Sequence, residues 1–499
     1  MKKIKFLLSL LAIVIAANGC EKFEDLEADP NRSTSVPPGL VLRGILKDLY
    51  NDPWDDLQRW NQYWCSNYNY YNNQEYNWTS TDLRFTTLKN VAKMEEEATK
   101  INLPAGNTYE GLGKFFRAYF YYDMTMRVGD LPLNEALQAS ENPAPAYATQ
   151  REIFRQILTW LDESNTILAA RAAAADQTLK GFDFYFDGDA AKWQKAVNAF
   201  KLRVLIQLSK KEAEASELNL KQEFSKIVNN PAQYPLPESS SDDMAYRYTS
   251  IEKYPFNPSN FGFYADRYNT SATYVSTLAA LKDPRVFVVA EPAKAKLDSG
   301  YTALDFEAYV GAPSDEGLDA MATKVQLGQY SRISKARYFS TDQGEPCIQI
   351  GFSEACFNIA EGINRGWVSG DAQEWYNKGV TASMQFYDIT DAAAITAYLS
   401  RPQTAYKGNN ADGLTQILLQ KYLALAQHSG FEGYYNWRRT GVPTFYQGGP
   451  GTGNSGVIPQ RFQYPTSERD NNTANYEAAL QRQFGNTDDS INDELWIVK

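Results

Sequence analysis

The chain has 499 residues, of which 22% are charged, and a formal net charge of −11. An acidic balance of this size, with no Lys/Arg cluster to offset it, excludes nucleic acid as the natural partner. One histidine and four scattered cysteines argue against a transition-metal centre and against a disulfide scaffold.

The N-terminus reads MKKIKFLLSLLAIVIAANGC. Three lysines precede an apolar run from Phe6 to Ala17 that is too short to span a bilayer, which is the layout of a secretory signal over residues 1–19. The run closes on Ala17, Asn18 and Gly19 before Cys20 and resembles a bacterial lipobox, although Ala17 stands where a larger aliphatic is usual. Cys20 is therefore the expected lipidation site, and multiple acyl chains would hold the protein on a membrane without a spanning helix. Loss of the signal lowers Lys+Arg from 49 to 46 against 60 Asp+Glu, for a mature net charge of −14. Residues 20–40 read as a polar, acidic tether broken by Pro37 and Pro38. Beyond Cys20, the cysteines Cys65, Cys347 and Cys356 allow at most one internal disulfide.

Aromatic residues are spread over residues 41–499 with no linker, and this predicts one composite body. Helical periodicity is clearest in four places. Leu112, Phe115, Tyr119, Tyr122 and Met126 form a stripe closed by Gly129 and Pro132. Trp193, Val197, Phe200, Val204 and Leu208 form another, with Asp189 as the expected N-cap. Phe352, Cys356, Ile359, Ile363 and Trp367 lead into a further helix from Trp375 to Tyr387, and Leu414, Leu418, Tyr422 and Leu425 complete the set. Paired helices with short Gly-containing turns predict a mostly α fold of tetratricopeptide-like stacked hairpins. Stretches near 63–80, 240–275, 295–345 and 440–475 lack helical pattern and predict a loop-rich cap where binding would reside.

The stretch WCSNYNYYNNQEYNW, Trp64 to Trp78, carries six aromatic rings and no aliphatic partner. Sugar rings offer C–H faces and hydroxyl edges, so flat rings beside amides suit them. The predicted ligand contacts are Tyr70, Tyr71, Tyr76 and Trp78 with Asn72 and Asn73, while Trp64 and Tyr68 are assigned to packing. Tyr246, Tyr248, Tyr254 and Phe261 form a second rank. No metal ligand set, cofactor motif or catalytic residue emerges. GTGNSG, Gly451 to Gly456, lacks the strand and helix a dinucleotide site needs. Asp187 and Asp189 lack the rest of a calcium loop. Glu95, Glu96, Glu97, Asp242 and Asp243 read as solvated runs, and Arg438 and Arg439 as structural ties.

Several blocks occur in an order that resembles SusD/RagB-like nutrient-binding lipoproteins: DPNRSTSVPPG (29–39), FFRAYFYYDMTMRVGDLPLNEAL (115–137), PAYATQREIFRQIL (145–158), DGDAAKWQKAVNAFKLRV (187–204), LKDPRVF (281–287), FSEACFNIAEGINRGWVSGDAQEWYNKGVTASM (352–384), YYNWRRTGVPTF (434–445) and IPQRFQYPTSERDNN (458–472). The resemblance covers nearly the whole mature chain and is nearest the branch with the WRRTG signature. It implies a SusD-like helical fold, a lipid-anchored position on the outer face of the outer membrane of a Bacteroidetes cell, and a SusC-like TonB-dependent transporter as partner. It further implies capture of a glycan without catalysis. Capture of peptides, as in RagB-type members, and a surface glycoside hydrolase are the alternatives.

Overall fold

The computed structural model describes residues 35–69, 73–138 and 141–499. The signal, Cys20 and most of the tether lie outside these residues. The frame consists of α1 Pro38–Asp48, α2 Phe85–Lys100, α3 Thr108–Val128, α4 Gln150–Ala173, α5 Ala190–Gln207, α6 Phe352–Asn364, α7 Ala372–Phe386, α8 Ala411–Ala424 and α9 Glu432–Thr440. Helices adjacent in sequence pack as antiparallel neighbours, α1 on α2, α2 on α3, α3 on α4 and α4 on α5. A second group, α6 on α7 and on α8, meets the first where α6 and α9 pack on α5. The chain is thus mostly α and built of stacked helical hairpins, as the periodicity predicts.

Local chemistry sets the helix ends. The Asp189 carboxylate accepts from the amides of Ala191 and Lys192 at the start of α5, satisfying donors that the first turn leaves open. Thr149 and Glu152 form a reciprocal capping box at α4. Gly129, at φ 94, ends α3 in a conformation that a side chain would resist. Gly379 lets α7 approach α6, since a Cβ there would lie 2.8 Å from the Phe357 ring.

Short paired strands tie the long connections to this frame. β1 Trp64–Ser66 runs antiparallel to β5 Tyr268–Thr270, β2 Leu131–Pro132 to β3 Tyr147–Ala148, and β4 Met244–Tyr246 to β6 Cys347–Ile350. The stretch 295–345 is less irregular than its sequence suggests, because it holds a nine-residue helix, Leu318–Gln326, that buries Met321 and Val325. Cys65, Cys347 and Cys356 are buried free thiols, and Cys356 faces the core of α6.

The seam between the two helix groups is ionic. Arg203 on α5 clasps Glu354 on α6 at 2.7 and 2.6 Å and also donates to the Gln349 carbonyl. Glu432 accepts from the Tyr122 hydroxyl and from Gln207. Lys421 donates to Asn358 and Asn436, and Arg439 clasps Glu361. All of these charged side chains are buried. Burial drives the Glu432 carboxyl up, with the Glu354 carboxylate adding to it against the pull of Arg203. Because the bidentate bond of Arg203 goes to Glu354, Glu354 is the ionised member of that acidic pair. Burial alone would raise Glu361, but Arg439 and Arg365 outweigh it and hold the carboxyl at about 2.

A carboxyl lowered from 4.5 to about 2 contributes stability that is fully present above pH 4.5 and is lost as pH falls towards 2, on the order of 3 kcal/mol. Urea unfolding of the native protein and of Glu361→Gln across this window should show the variant less stable at pH 7 and its acid limb flatter. Parallel limbs would contradict the assignment.

Candidate ligand-binding rim

The loop that follows β1 is closed at its base. The Ser66 amide donates to Gln74 Oε1 at 3.0 Å, and the Gln74 amide nitrogen donates back to the Ser66 carbonyl. Gln74 is buried, so Ser66 and Gln74 form a fixed base on either side of this stretch. Beside it runs the segment before β5, joined by the Asn67 amide to the Arg267 carbonyl at 3.0 Å and by Asn67 Nδ2 to Asn269 Oδ1 at 2.9 Å.

Gln62 anchors the loop from below. It adopts φ 60, costly for a residue with a Cβ. Its side chain donates to the Tyr76 hydroxyl and the Tyr446 carbonyl and accepts from Thr273 and the Tyr446 amide. These bonds hold the strained backbone and join segments more than 200 residues apart in sequence.

Two of the predicted contacts belong to the core. Trp78 is 5% exposed and lies parallel to Phe462, with centroids 4.2 Å apart and planes 3° apart, among Trp60, Phe431 and Tyr434. Tyr76 is 1% exposed, its hydroxyl donating to the Trp60 carbonyl and its amide to the Thr452 carbonyl. The absence of aliphatics nearby in sequence misleads here, because the packing partners are rings from residues 431–462. Asn73 is half-buried, and its Oδ1 accepts from the Glu75 amide in a local turn. Tyr70, Tyr71 and Asn72 lie outside the described residues. Tyr246, Tyr248 and Tyr254 are buried in an aromatic column with Tyr50, so of the second rank only Phe261 reaches the surface, half-buried under the Lys335 ammonium.

The assignments to packing divide. Trp64 is buried against Tyr268. Tyr68 is 46% exposed, with the Arg267 guanidinium 4.3 Å from its ring centroid. Phe263, on the single turn Phe261–Tyr264, is 64% exposed. Neither Arg267 nor Phe263 is singled out by the sequence, since NFGFYADRY has neither helical nor alternating period. The rim therefore presents the Tyr68 and Phe263 faces and the Arg267 guanidinium on a base of buried, hydrogen-bonded amides, which is the equipment for holding a polar ring by its face and edge.

Thr273 and Tyr446, both bonded to Gln62, line a groove of about 670 Å³ between residues 272–281, α8 and residues 441–446. Its walls include Leu281, Leu419, Pro443 and the 40% exposed Tyr446, with hydroxyls from Thr273 and Thr415.

The other sequence features have structural employment. Arg438 donates to the carbonyls of Gln460 and Met126, and Trp437 stacks on Phe445 rather than on either arginine. Glu95 pairs with Arg117, Glu96 and Glu97 with Lys93 and Lys100, and Asp242 with Lys195. GTGNSG forms a turn in which the Asn454 amide donates to Asn77 Oδ1. Among the described residues, no group of His, Cys, Asp and Glu is arranged to hold a metal ion, and no helix is long and apolar enough to cross a membrane.

A helical frame carrying exposed rings at Tyr68 and Phe263 has the equipment of a binding protein. The family described as "Starch-binding associating with outer membrane", SusD-like, matches residues 30–465. A SusD homolog from Bacteroides fragilis is 31% identical, with a TM-score of 0.83 over 93% of this chain and 100% of its own. An outer-membrane protein from Bacteroides vulgatus, described as involved in nutrient binding, is 31% identical with a TM-score of 0.80 over the same shares. A chitin-binding SusD homolog from Flavobacterium johnsoniae, at 18% identity and a TM-score of 0.71 over 93% of this chain and 98% of its own, shares the fold. No curated protein sequence matches the chain. The chain belongs to the SusD-like family.

Trp78→Ala should lower stability by about 3–5 kcal/mol through the cavity it leaves, whereas Tyr68→Ala should change it by less than about 0.5 kcal/mol. Chemical denaturation of both variants checks this, and equal effects would contradict the division between core and rim.

Proposed function

We propose that the protein captures oligosaccharides at the rim formed by residues 67–75 and 261–268 and performs no chemistry on them. The single observation that carries the reading is the exposed Tyr68 ring beneath Arg267, next to the Asn67–Asn269 amide pair on a base pinned by Gln62 and Gln74. Tyr70, Tyr71, Asn72 and Asn73 join this rim as proposed contacts, and Phe263 extends it. Family membership and the chitin-binding and nutrient-binding descriptions of its structural neighbours support a glycan as ligand. Glu95, Glu96, Glu97 and Asp242 are each engaged by a lysine or arginine, which supports a binding role over use of these carboxylates as a hydrolase's acid and base.

The same reading places the mature chain on the outer face of the outer membrane, lipidated at Cys20, where it passes ligand to a SusC-like TonB-dependent transporter. Capture of peptides is a second reading, favoured by the groove of about 670 Å³ and its largely apolar lining, which suits apolar side chains.

Stacking contributes on the order of 1 kcal/mol per ring beyond area burial. Tyr68→Ala and Phe263→Ala should each weaken oligosaccharide binding about 5-fold to 10-fold in calorimetric titration, with folding intact. Unchanged affinity in both would remove the rim from the site. If Tyr446→Ala alone weakened binding, and weakened it for peptides, the second reading would replace the first. Incubation of the protein with polysaccharides should release no reducing ends, and turnover would overturn the binding reading.

A further inference from the structure

A separate polar cleft of about 380 Å³ opens between the segments carrying Asp243, Arg247, Arg337, Glu345 and Phe386. Arg337 is fixed there by three acceptors, Glu345 Oε2 at 2.7 Å, Asp388 Oδ2 at 2.8 Å and the Phe386 carbonyl at 2.9 Å. Arg247 stands at the mouth, exposed, with one bond of 3.3 Å to the Ala245 carbonyl. Behind the cleft lies a recess of about 30 Å³ that shares Ser240, Asp243, Ile348 and Phe386 with it and is closed by His428. A space of that size admits about one oxygen atom with its hydrogens.

Two buried polar groups line the recess with capacity to spare. Asp243 is 7% exposed; its Oδ1 accepts from the Phe352 amide at 2.7 Å, while its other oxygen has no donor among the described residues. His428 is 4% exposed, and its Nδ1 accepts from the Ile348 amide at 3.3 Å. Acceptance at Nδ1 puts the ring proton on Nε2. Burial and then the Arg337 charge push the imidazole down to about 3, which keeps it neutral. Nε2 has no hydrogen-bond partner among the described residues. A buried donor left open on the recess carries a desolvation cost that a ligand group would relieve, and the second Asp243 oxygen stands beside it as an acceptor.

Burial pushes the Asp243 carboxyl up to about 7, so above that pH it is ionised, and there an ammonium would satisfy only the acceptor and a carboxylate only the donor. A hydroxyl satisfies both. We propose that this cleft is a second polyol subsite, in which one hydroxyl of a monosaccharide unit enters the recess, donates to Asp243 and accepts from His428 Nε2–H, while Arg247 closes over the rest of the sugar. The subsite rests on the reading that this chain binds polyols, but it is distinct from the Tyr68 rim and can fail independently of it.

His428 is the sole histidine, so its imidazole resonances report the recess without assignment of the whole chain. Selectively labelled protein would be titrated with glucose, galactose and N-acetylglucosamine while the imidazole nitrogens and Cε1 are followed by NMR. The expected result is the Nε2–H tautomer at neutral pH and a saturable shift with at least one of the three sugars in the millimolar range. That shift should persist in the Tyr68→Ala, Phe263→Ala double variant and weaken about tenfold in Arg247→Ala and in Asp243→Asn. Asp243→Asn retains an oxygen for the Phe352 amide, and Arg247 is exposed, so both variants are expected to fold, as a melting curve verifies. Resonances that none of the sugars moves would mean that water alone fills the recess, and the proposal would fall. It would fall equally if the shift vanished in the rim double variant or survived both cleft variants unchanged. Loss of calorimetric binding at the rim with the His428 shift intact would count for the cleft, and the reverse would leave only the rim.

Discussion

Charge pairing at the buried seam is the constraint on which the rest of the structure depends. Arg203 and Arg439 clasp Glu354 and Glu361, and Lys421 donates to Asn358 and Asn436, all with little access to water, and a buried charge deprived of its partner costs about 3–5 kcal/mol. The pairing is satisfied only when α5, α6, α8 and α9 stand in one arrangement, although their residues span 190–440 in sequence. Hydrophobic burial would tolerate some sliding of these helices, whereas bidentate arginine bonds tolerate little. Arg438, next to Arg439, extends the same device to the loops by binding the carbonyls of Gln460 and Met126. A frame fixed in this way can carry long connections without being deformed by them.

The aromatic residues divide into two populations by what lies beneath them. Trp78, Tyr76, Trp60, Phe431, Tyr434 and Phe462 pack on one another and replace aliphatic core where the loops meet α9. Tyr68 and Phe263 sit beyond that layer, on backbone anchored by Asn67, Gln74 and Gln62. Burying rings beneath the rim makes its base stiff, so the exposed rings lose little entropy when a ligand settles on them. Tyr and Phe serve both purposes, and neither composition nor spacing separates the two.

The helical frame was legible because its signals are local. The stripe from Leu112 to Met126 is read within about four turns of one helix, and the Asp189 cap and the Gly129 stop within a single turn. The helix Leu318–Gln326 was overlooked because nine residues with two buried side chains make a faint period. The loop 64–78 was recognised as unusual, but the sides its rings face are set by contacts with residues 431–462, which sequence spacing does not encode. Proximity to Trp64 predicts packing for Tyr68, yet it follows the closing bond at Ser66 and its ring is exposed. Arg438 and Arg439 are structural ties, as their place beside Trp437 in a short helix predicts, and Trp437 itself stacks on Phe445. Asp243 lies in a charge run that predicts a solvated face, but it is buried with its carboxylate accepting from the amide at the start of α6.

The central claim is that ligand is held on a rim projecting from a frame that does not move. Amide hydrogen exchange with and without a bound oligosaccharide measures this directly. The expected result is slowed exchange confined to residues 67–75 and 261–268, with the amides of α5, α6, α8 and α9 unchanged. Altered exchange within those helices, with the rim segments unaffected, would contradict the account.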